Sequence, residues 1–428
     1  MAELDLTPRQ RQRAALAALL GNALEWYDFA VYGYVASDLG RVFFPADVPG
    51  LQTLAAFGVF AVGYLMRPIG SVVLGPLGDL LGRRLMLSLS IVIMGLSSLL
   101  IGLLPTHAQI GMAAGALLVM LRMLQGFSVG AEFTGSITYA TEAAASGRTG
   151  YLSSLAVAGG LLGFSLGSLT VGLIGWVLDP AAMATWGWRL PFLLGAAVAA
   201  MGLWMRHGMP ETLSVLDERT RLTHLDQLGA AVVEQLAQVK GQWRLLVQVI
   251  GLVTFANVIF YLAFVYLVDL TGQGSGRPAA ANTIATVIQT AGLFLVIWGG
   301  ALADRYGMKP VNRWGNALLV LLAPVALLIG LQGRLISLAM AQLLVVVPVM
   351  VTMGAQGVLG VLLVPERQRC SVFSIAYSLA MALFAGTAPL VASWLAAQQW
   401  SAWIVPYALI YGVAALITVH RIRPLAAG

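Results

Sequence analysis

Apolar residues run along this chain in long stretches, parted by short joints rich in Gly, Pro and charge. An α-helix rises about 1.5 Å per residue, so crossing a hydrocarbon core of about 30 Å takes roughly 20 apolar residues. Twelve stretches qualify, approximately 15–37, 52–78, 85–104, 110–137, 150–177, 189–206, 244–269, 281–302, 314–331, 336–362, 371–396 and 401–420. The pattern predicts an all-α membrane protein of twelve transmembrane helices. The one long hydrophilic joint, His207 to Trp243, divides it into a first six-helix bundle (1–206), a linker (207–243) and a second bundle (244–428). Within the linker, HLDQLGAAVVEQLAQV is weakly amphipathic and predicts a short helix or two along the inner membrane face.

Composition agrees with the pattern. Hydrophobic residues make up 59% and charged residues 10% of the chain, with mean hydropathy +0.86, where soluble proteins carry about 25% charge. The formal charge of +6 carries no nucleic-acid signal; its placement sets the orientation. Counted from a cytosolic N-terminus, the inward joints hold most Arg and Lys, from Arg9, Arg11 and Arg13 through Arg83, Arg84, Arg148 and Arg206 to Arg421 and Arg423. The outward joints hold only Arg41, Arg189, Arg277 and Arg334. That asymmetry places both termini in the cytoplasm. The first stretch is too long for a cleavable secretory leader. One cysteine, Cys370, excludes an intrachain disulfide and a thiolate metal cluster.

Against this background, charge inside a span stands out. GNALEWYDFAVYGY (Gly21 to Tyr34) sets Glu25 and Asp28 three residues apart, on one helical face. An ionisable side chain at membrane depth points to a substrate or proton path. Arg67 and Arg122 also fall inside spans, and a guanidinium there needs a carboxylate partner or a wet cavity. A substrate carboxylate could displace that partner, since Arg offers a planar bidentate fork. Asp28 and Glu25 are therefore the expected proton-coupling pair, with a permanent brace between Asp28 and Arg122 as the structural alternative.

GPLGDLLGRR (Gly75 to Arg84) recurs as GGALADRYGMKP (Gly299 to Pro310), so Asp79 and Asp304 hold equivalent places in two halves. Such internal repeats underlie alternating access in secondary transporters. Asp79, Arg83, Arg84, Glu132, Glu142, Arg148, Asp304 and Arg305 form the expected cytoplasmic gate. In the second half no acid or base falls clearly within a span, leaving Asn257, Gln356, Tyr377 and the aromatic run Phe260, Tyr261, Phe264 and Tyr266 to supply shape and hydrogen bonds. Gly159, Gly163 and Gly167 repeat every four residues and predict close helix packing. The expected binding set is Arg67, Arg122, Tyr32, Asn257, Tyr261, Gln356 and Tyr377. No phosphate loop, HExxH site or nucleotide signature is present, so neither ATP-driven transport nor enzymatic hydrolysis is supported.

The repeated joint resembles the signature of the major facilitator superfamily. GNALEWYDFAVYGY with LMRPIG, LRMLQGFSVGAEFTGS, WGWRLPF and RHGMPET resembles its metabolite:proton symporter group, which includes proline/betaine, citrate, shikimate and α-ketoglutarate importers. The resemblance implies two pseudo-symmetric six-helix bundles around a central cavity in the bacterial inner membrane. It implies a proton gradient as driving force, no bound cofactor, and action as a monomer with lipid and small solutes as its partners. Two intramembrane arginines favour a small organic acid, a di- or tricarboxylate, as cargo. A zwitterion such as proline or glycine betaine is the alternative, and drug efflux a more distant one. The group's tenth span ends in an acid, whereas this chain has Leu362 there and Glu366 beyond Pro365, so the second half's inner gate is expected to be wired differently.

Overall fold

The computed structural model describes residues 8–44, 51–206 and 228–422, and it is helical throughout. Twelve long helices are present among these residues. The first half contains α1 (Pro8–Tyr34), α2 (Leu51–Leu81), α3 (Arg83–Leu103), α4 (Ala113–Ala143), α5 (Thr149–Val177) and α6 (Arg189–Arg206). The second contains α7 (Trp243–Ser275), α8 (Pro278–Tyr306), α9 (Met308–Gly330), α10 (Leu335–Leu362), α11 (Glu366–Ala396) and α12 (Ile404–Arg421). Ten helices among the described residues are long and apolar enough to cross a membrane; α1 and α2, of 27 and 31 residues, stand outside that count. The linker helix spans Leu228–Gly241, and the rest of the expected linker, 207–227, lies outside the described residues.

Small residues set the distances between helices. Gly159, Gly163 and Gly167 of α5 face α1, and a Cβ at Gly159 or Gly163 would run into the Leu19 or Ala23 carbonyl. The α1 and α5 backbones therefore touch, and α1 is seated rigidly with its acids inward. The same device joins α2 to α4. A Cβ at Gly126 would strike the Gly63 carbonyl, and one at Gly130 would strike the carbonyl of Arg67. Without an apolar solvent to expel, membrane helices gain from such close van der Waals contact.

LMRPIG allows a helix break at Pro68. The structure differs: α2 continues through Pro68 and Pro76. Backbone groups freed by proline are tolerated in membrane helices when neighbours supply partners. Two other helices are deformed. Leu262–Tyr266 in α7 and Met381–Ala385 in α11 each form a π-turn, a feature common beside functional sites. Gln342 donates to the Ala263 carbonyl within the first of these turns at 3.0 Å.

The halves meet along two related seams, α2 against α11 and α5 against α8. Each seam closes at the end of the bundle that carries the repeated joints. There the joint glycines Gly82 and Gly307 have φ of 107° and 91°, a region open to residues without a Cβ, and each turns the chain directly into the next helix.

Candidate functional site

Charged side chains descend through the first half in layers, carried mainly by one face of α1 and one face of α4. Arg122, Gln125, Glu132, Ser136, Tyr139 and Glu142 recur at helical spacing, so α4 shows a single polar stripe to its neighbours. Ser136 and Asn22 anchor this stripe to α1: Ser136 Oγ donates to Asn22 Oδ1 at 2.7 Å, and Asn22 Nδ2 donates to the Ala156 carbonyl at 2.6 Å.

The layer farthest from the joints holds Asp28 and Arg122, both fully buried. Gln125 stands between them. Its Oε1 accepts from Arg122 Nη1 at 2.7 Å, and its Nε2 donates to Asp28 Oδ2 at 3.4 Å. Ser98 Oγ donates to the same Asp28 oxygen at 2.6 Å, while Asp28 Oδ1 has no hydrogen-bond partner among the described residues. The Arg122 guanidinium lies over the Tyr32 and Phe29 rings, 4.2 and 4.8 Å from their centroids. Tyr32 thus serves as a platform for Arg122.

One turn nearer the joints, Arg67 Nη2 bonds Glu25 Oε1 at 2.8 Å, with both side chains buried. Trp26, Tyr64 and Phe29 surround the guanidinium, their ring centroids 5.2, 5.2 and 5.5 Å from its carbon. Glu25 Oε2 and Arg67 Nη1 have no partner among the described residues. Buried polar atoms are paired in the great majority of cases, so three open positions around one pair of acids mark a place where a proton or solute can add.

Beside this layer the halves enclose a cavity of about 30 Å³. Trp26, Phe133 and Phe164 line it from the first half, and Asn257, Phe260, Tyr261, Met353, Tyr377 and Met381 from the second. Aromatic faces dominate and no formally charged residue lines it. Asn257, Tyr261 and Tyr377 of the expected binding set meet here. Trp26 connects the cavity to Arg67, whereas Gln356 is buried in α10 outside the lining. Phe264 stacks on Phe260 at 5.3 Å, and both Phe264 and Tyr266 are packed in the core.

The residues of the expected gate divide into several groups. Arg83 donates to Asp79 at 2.6 Å, to the Gly78 carbonyl at 2.6 Å and to the Glu366 carbonyl at 2.7 Å. Glu142 receives Arg83 at 3.2 Å and Arg369 at 3.3 Å, joining the two halves through one carboxylate. Asp79 also accepts from the backbone N–H groups of Cys370 and Ser371 at 3.1 and 2.8 Å, in the first α-helical turn of α11, which follows the 3-10 turn Glu366–Gln368. Asp304 makes the related contact, accepting from the N–H groups of Gly150 and Tyr151 at 2.7 and 2.8 Å in the first turn of α5. Arg84 is half-buried nearby, while Arg148 and Arg305 are exposed and take no part in these ion pairs.

Glu132 requires a correction. It was expected in the joint-end cluster, yet it lies ten residues up α4 from Glu142, about 15 Å at the helical rise. There it is held by Arg206 of α6 and by Ser90 of α3. Arg206 is itself buried: its alkyl chain lets the guanidinium reach back from the last turn of α6. Gln125, Ser98, Arg206, Arg369 and Asn22 all belong to the charge layers without having been singled out in the sequence. Gln125 had a signal, three residues from Arg122 on the same face. No acid stands at Leu362, the last residue of α10; Glu366 reaches the cluster through its main-chain carbonyl, which accepts from Arg83.

Two bundles clasped at one end around an aromatic cavity, with buried acid and arginine layers carried mainly by the first half, have the build of a secondary transporter. Comparison with known proteins carries this further. The family model of the Major Facilitator Superfamily matches residues 15–379, and the chain belongs to that family. It is 34% identical over 415 residues to the glycine betaine/proline/ectoine/pipecolic acid transporter OusA of Dickeya dadantii, covering 95% of this chain and 82% of that protein. It is 34% identical over 414 residues to the proline/betaine transporter of Escherichia coli K12, with the same coverage. The ectoine/proline transporter ProP of Corynebacterium glutamicum is 34% identical over 448 residues, covering 99% and 87% of the two chains. Among solved structures, the proton:xylose symporter XylE bound to 6-bromo-6-deoxy-D-glucose superposes with a TM-score of 0.76 at 20% identity, covering 98% and 97%, which shows the fold. The protein is a multi-pass transporter of the bacterial inner membrane. Among the described residues no group of three or more His, Cys, Asp or Glu could hold a metal ion.

Proposed function

We propose that this chain is a proton symporter that imports a small zwitterion of the proline or betaine kind by alternating access. Its twelve helices, α1 and α2 included, would all span the membrane, with both termini and the joint end in the cytosol. The division at 207–243 then separates a first bundle that reads the proton gradient from a second that shapes the solute pocket.

One observation carries this reading: Trp26 stands between the aromatic cavity and the Arg67 to Glu25 ion pair. A zwitterion has two ends, and the site offers two matching surfaces. Its ammonium suits the ring faces, each worth about 0.5–2 kcal/mol to a cation when desolvated. Its carboxylate suits Arg67. As the carboxylate takes the guanidinium, Glu25 loses its counter-charge and gains a proton, so the buried pair stays electrically matched. Asp28, with one open oxygen and a donor pair in Ser98 and Gln125, forms the second proton position.

The zwitterion is preferred to the organic acid. A di- or tricarboxylate needs more than one cation, but Arg122 is engaged with Gln125 and Tyr32, and the cavity lining adds none to Arg67. The relatives, transporters of proline, glycine betaine and ectoine, also favour zwitterions. Counterflow into proteoliposomes tests the choice, with proline, glycine betaine, ectoine, citrate and α-ketoglutarate as competitors. Competition by proline or the quaternary amine is expected; competition by citrate and α-ketoglutarate alone would restore the organic acid.

A further inference from the structure

Glu132 is the one acid among these charge layers to which neither solute binding nor the gate gives a task. Arg206 meets it through two nitrogens, Ser90 donates to it, and the Arg206 guanidinium also bonds the Leu87 carbonyl. The α1 backbone lies directly against this group, since a Cβ at Gly21 would be 2.6 Å from Glu132 Oε1. Gly21 is one helical turn before Glu25. Between the two acids lies a cavity of about 10 Å³, room for about one water molecule. Glu25, Ser90, Ser128 and Glu132 supply its polar walls. Glu25 Oε2, buried and without a partner among the described residues, belongs to this wall-forming side chain.

We propose that Glu132 is the station through which the proton leaves the coupling site toward the joint end, with Arg206 as its release latch. The proposal rests on the reading of Glu25 and Asp28 as the proton-carrying pair. The charged groups facing Glu132 are Arg206 from α6 and Glu25 from α1, with Arg67 of α2 behind Glu25. Protonated Glu25 gives its proton to a water in the small cavity as that water gives one of its own to the Glu132 carboxylate. Glu25 becomes an anion matched by Arg67, and Glu132 becomes a neutral acid. Neutral Glu132 no longer holds Arg206 by charge, so the guanidinium at the last turn of α6 turns outward at the joint end. Solvent then takes the proton, and the restored carboxylate recaptures Arg206. The number of buried charges is unchanged over the cycle.

A static brace predicts something different, and purified protein in proteoliposomes with internal pyranine separates the two. The readout is the ratio of proton influx to solute counterflow with glycine betaine as probe, and proline and citrate in parallel. Glu132→Gln keeps the size of the side chain and one accepting oxygen; its ratio is expected to fall at least tenfold, and Glu132→Asp should recover at least a third of it. Ser128→Val reads the same path without touching Glu132 and should lower the ratio at least threefold even if the Gln variant fails to reach the membrane. Ratios within twofold of the parent in E132Q, or in S128V, overturn the relay. Asp28→Asn and Glu25→Gln run alongside: if these two abolish influx while E132Q does not, the relay alone is wrong, and if none of them does, the coupling site is wrong with it.

Discussion

Asp79 and Asp304 make the same contact in opposite directions. Each leaves the end of a helix in its own half and accepts from two successive N–H groups in the first α-helical turn of a helix in the other half, Asp79 on α11, whose α-helical part begins at Arg369, and Asp304 on α5. The first turn of a helix leaves N–H groups without partners and carries partial positive charge, so a carboxylate there is both a cap and a counter-charge. The repeated joint is therefore a pair of reciprocal caps that join the two halves at the joint end.

Loss of either cap should favour the open joint end. A cap is worth about 0.5–2 kcal/mol, which raises an open population by up to about 30-fold. Cys370 is a built-in reporter, being the single cysteine, buried, and bonded through its N–H to Asp79. Asp79→Asn should speed its reaction with a membrane-permeant maleimide by about fivefold or more at this free-energy scale. Asp304→Asn should act in the same direction through the other seam. Unchanged labelling in both would remove the capping account.

Asp28→Asn keeps its bonds to Ser98 and Gln125 but cannot exchange a proton. Accumulation driven by a pH gradient should fall at least about tenfold, the equivalent of about 1.4 kcal/mol. Counterflow, which needs no net proton movement, should continue. Accumulation against a gradient at the parental level would count against Asp28 as a proton carrier.

Arg67→Ala leaves Glu25 buried without its partner. Breaking one side of a buried pair costs about 3–5 kcal/mol. A lower thermal midpoint by size-exclusion melting is expected, together with loss of uptake. The double variant Arg67→Gln with Glu25→Gln removes both charges and should regain much of the thermal midpoint while uptake stays absent. Recovery of both properties together would make the pair a brace and nothing more.

Trp26→Ala removes the ring shared by the cavity and Arg67, whereas Trp26→Phe keeps an aromatic face. If the ammonium sits on these rings, KM for glycine betaine should rise about tenfold in the Ala variant, the scale of one cation contact of about 1–2 kcal/mol. The Phe variant should lose less. Equal losses for the two variants would argue for packing alone.

The fold was legible because length and apolarity act locally. The twelve expected stretches and the observed helices differ mostly by a few residues at their ends, with the greatest extensions at α1, α4, α7 and α9. Glu25, Asp28, Arg67 and Arg122 could be picked out in the same way, because charge is costly within an apolar span, and all four are buried. Partners were harder to read. Gln125 is neutral, and its bridge between Arg122 and Asp28 exists only once α1 and α4 are packed by the α5 glycines. Arg206 was counted as an ordinary inward charge because sequence position gives the end of a helix, not the direction its side chain takes. Glu132 was misplaced for a related reason: the order of charges along α4 is plain, but which layer receives each depends on what α3 and α6 bring alongside.

Gly150 and Gly300, on opposite sides of the α5 and α8 seam, each occupy the spot where the other would carry a side chain. A Cβ on either would collide with the carbonyl of its counterpart. Most tight contacts in proteins can drift, because enlargement on one side can be matched by shrinkage on the other. Here both residues already have the smallest possible side chain, so no second-site substitution within the pair can make room. Evolution can rewrite the aromatic pocket residue by residue, but this crossing offers it no neutral neighbouring step.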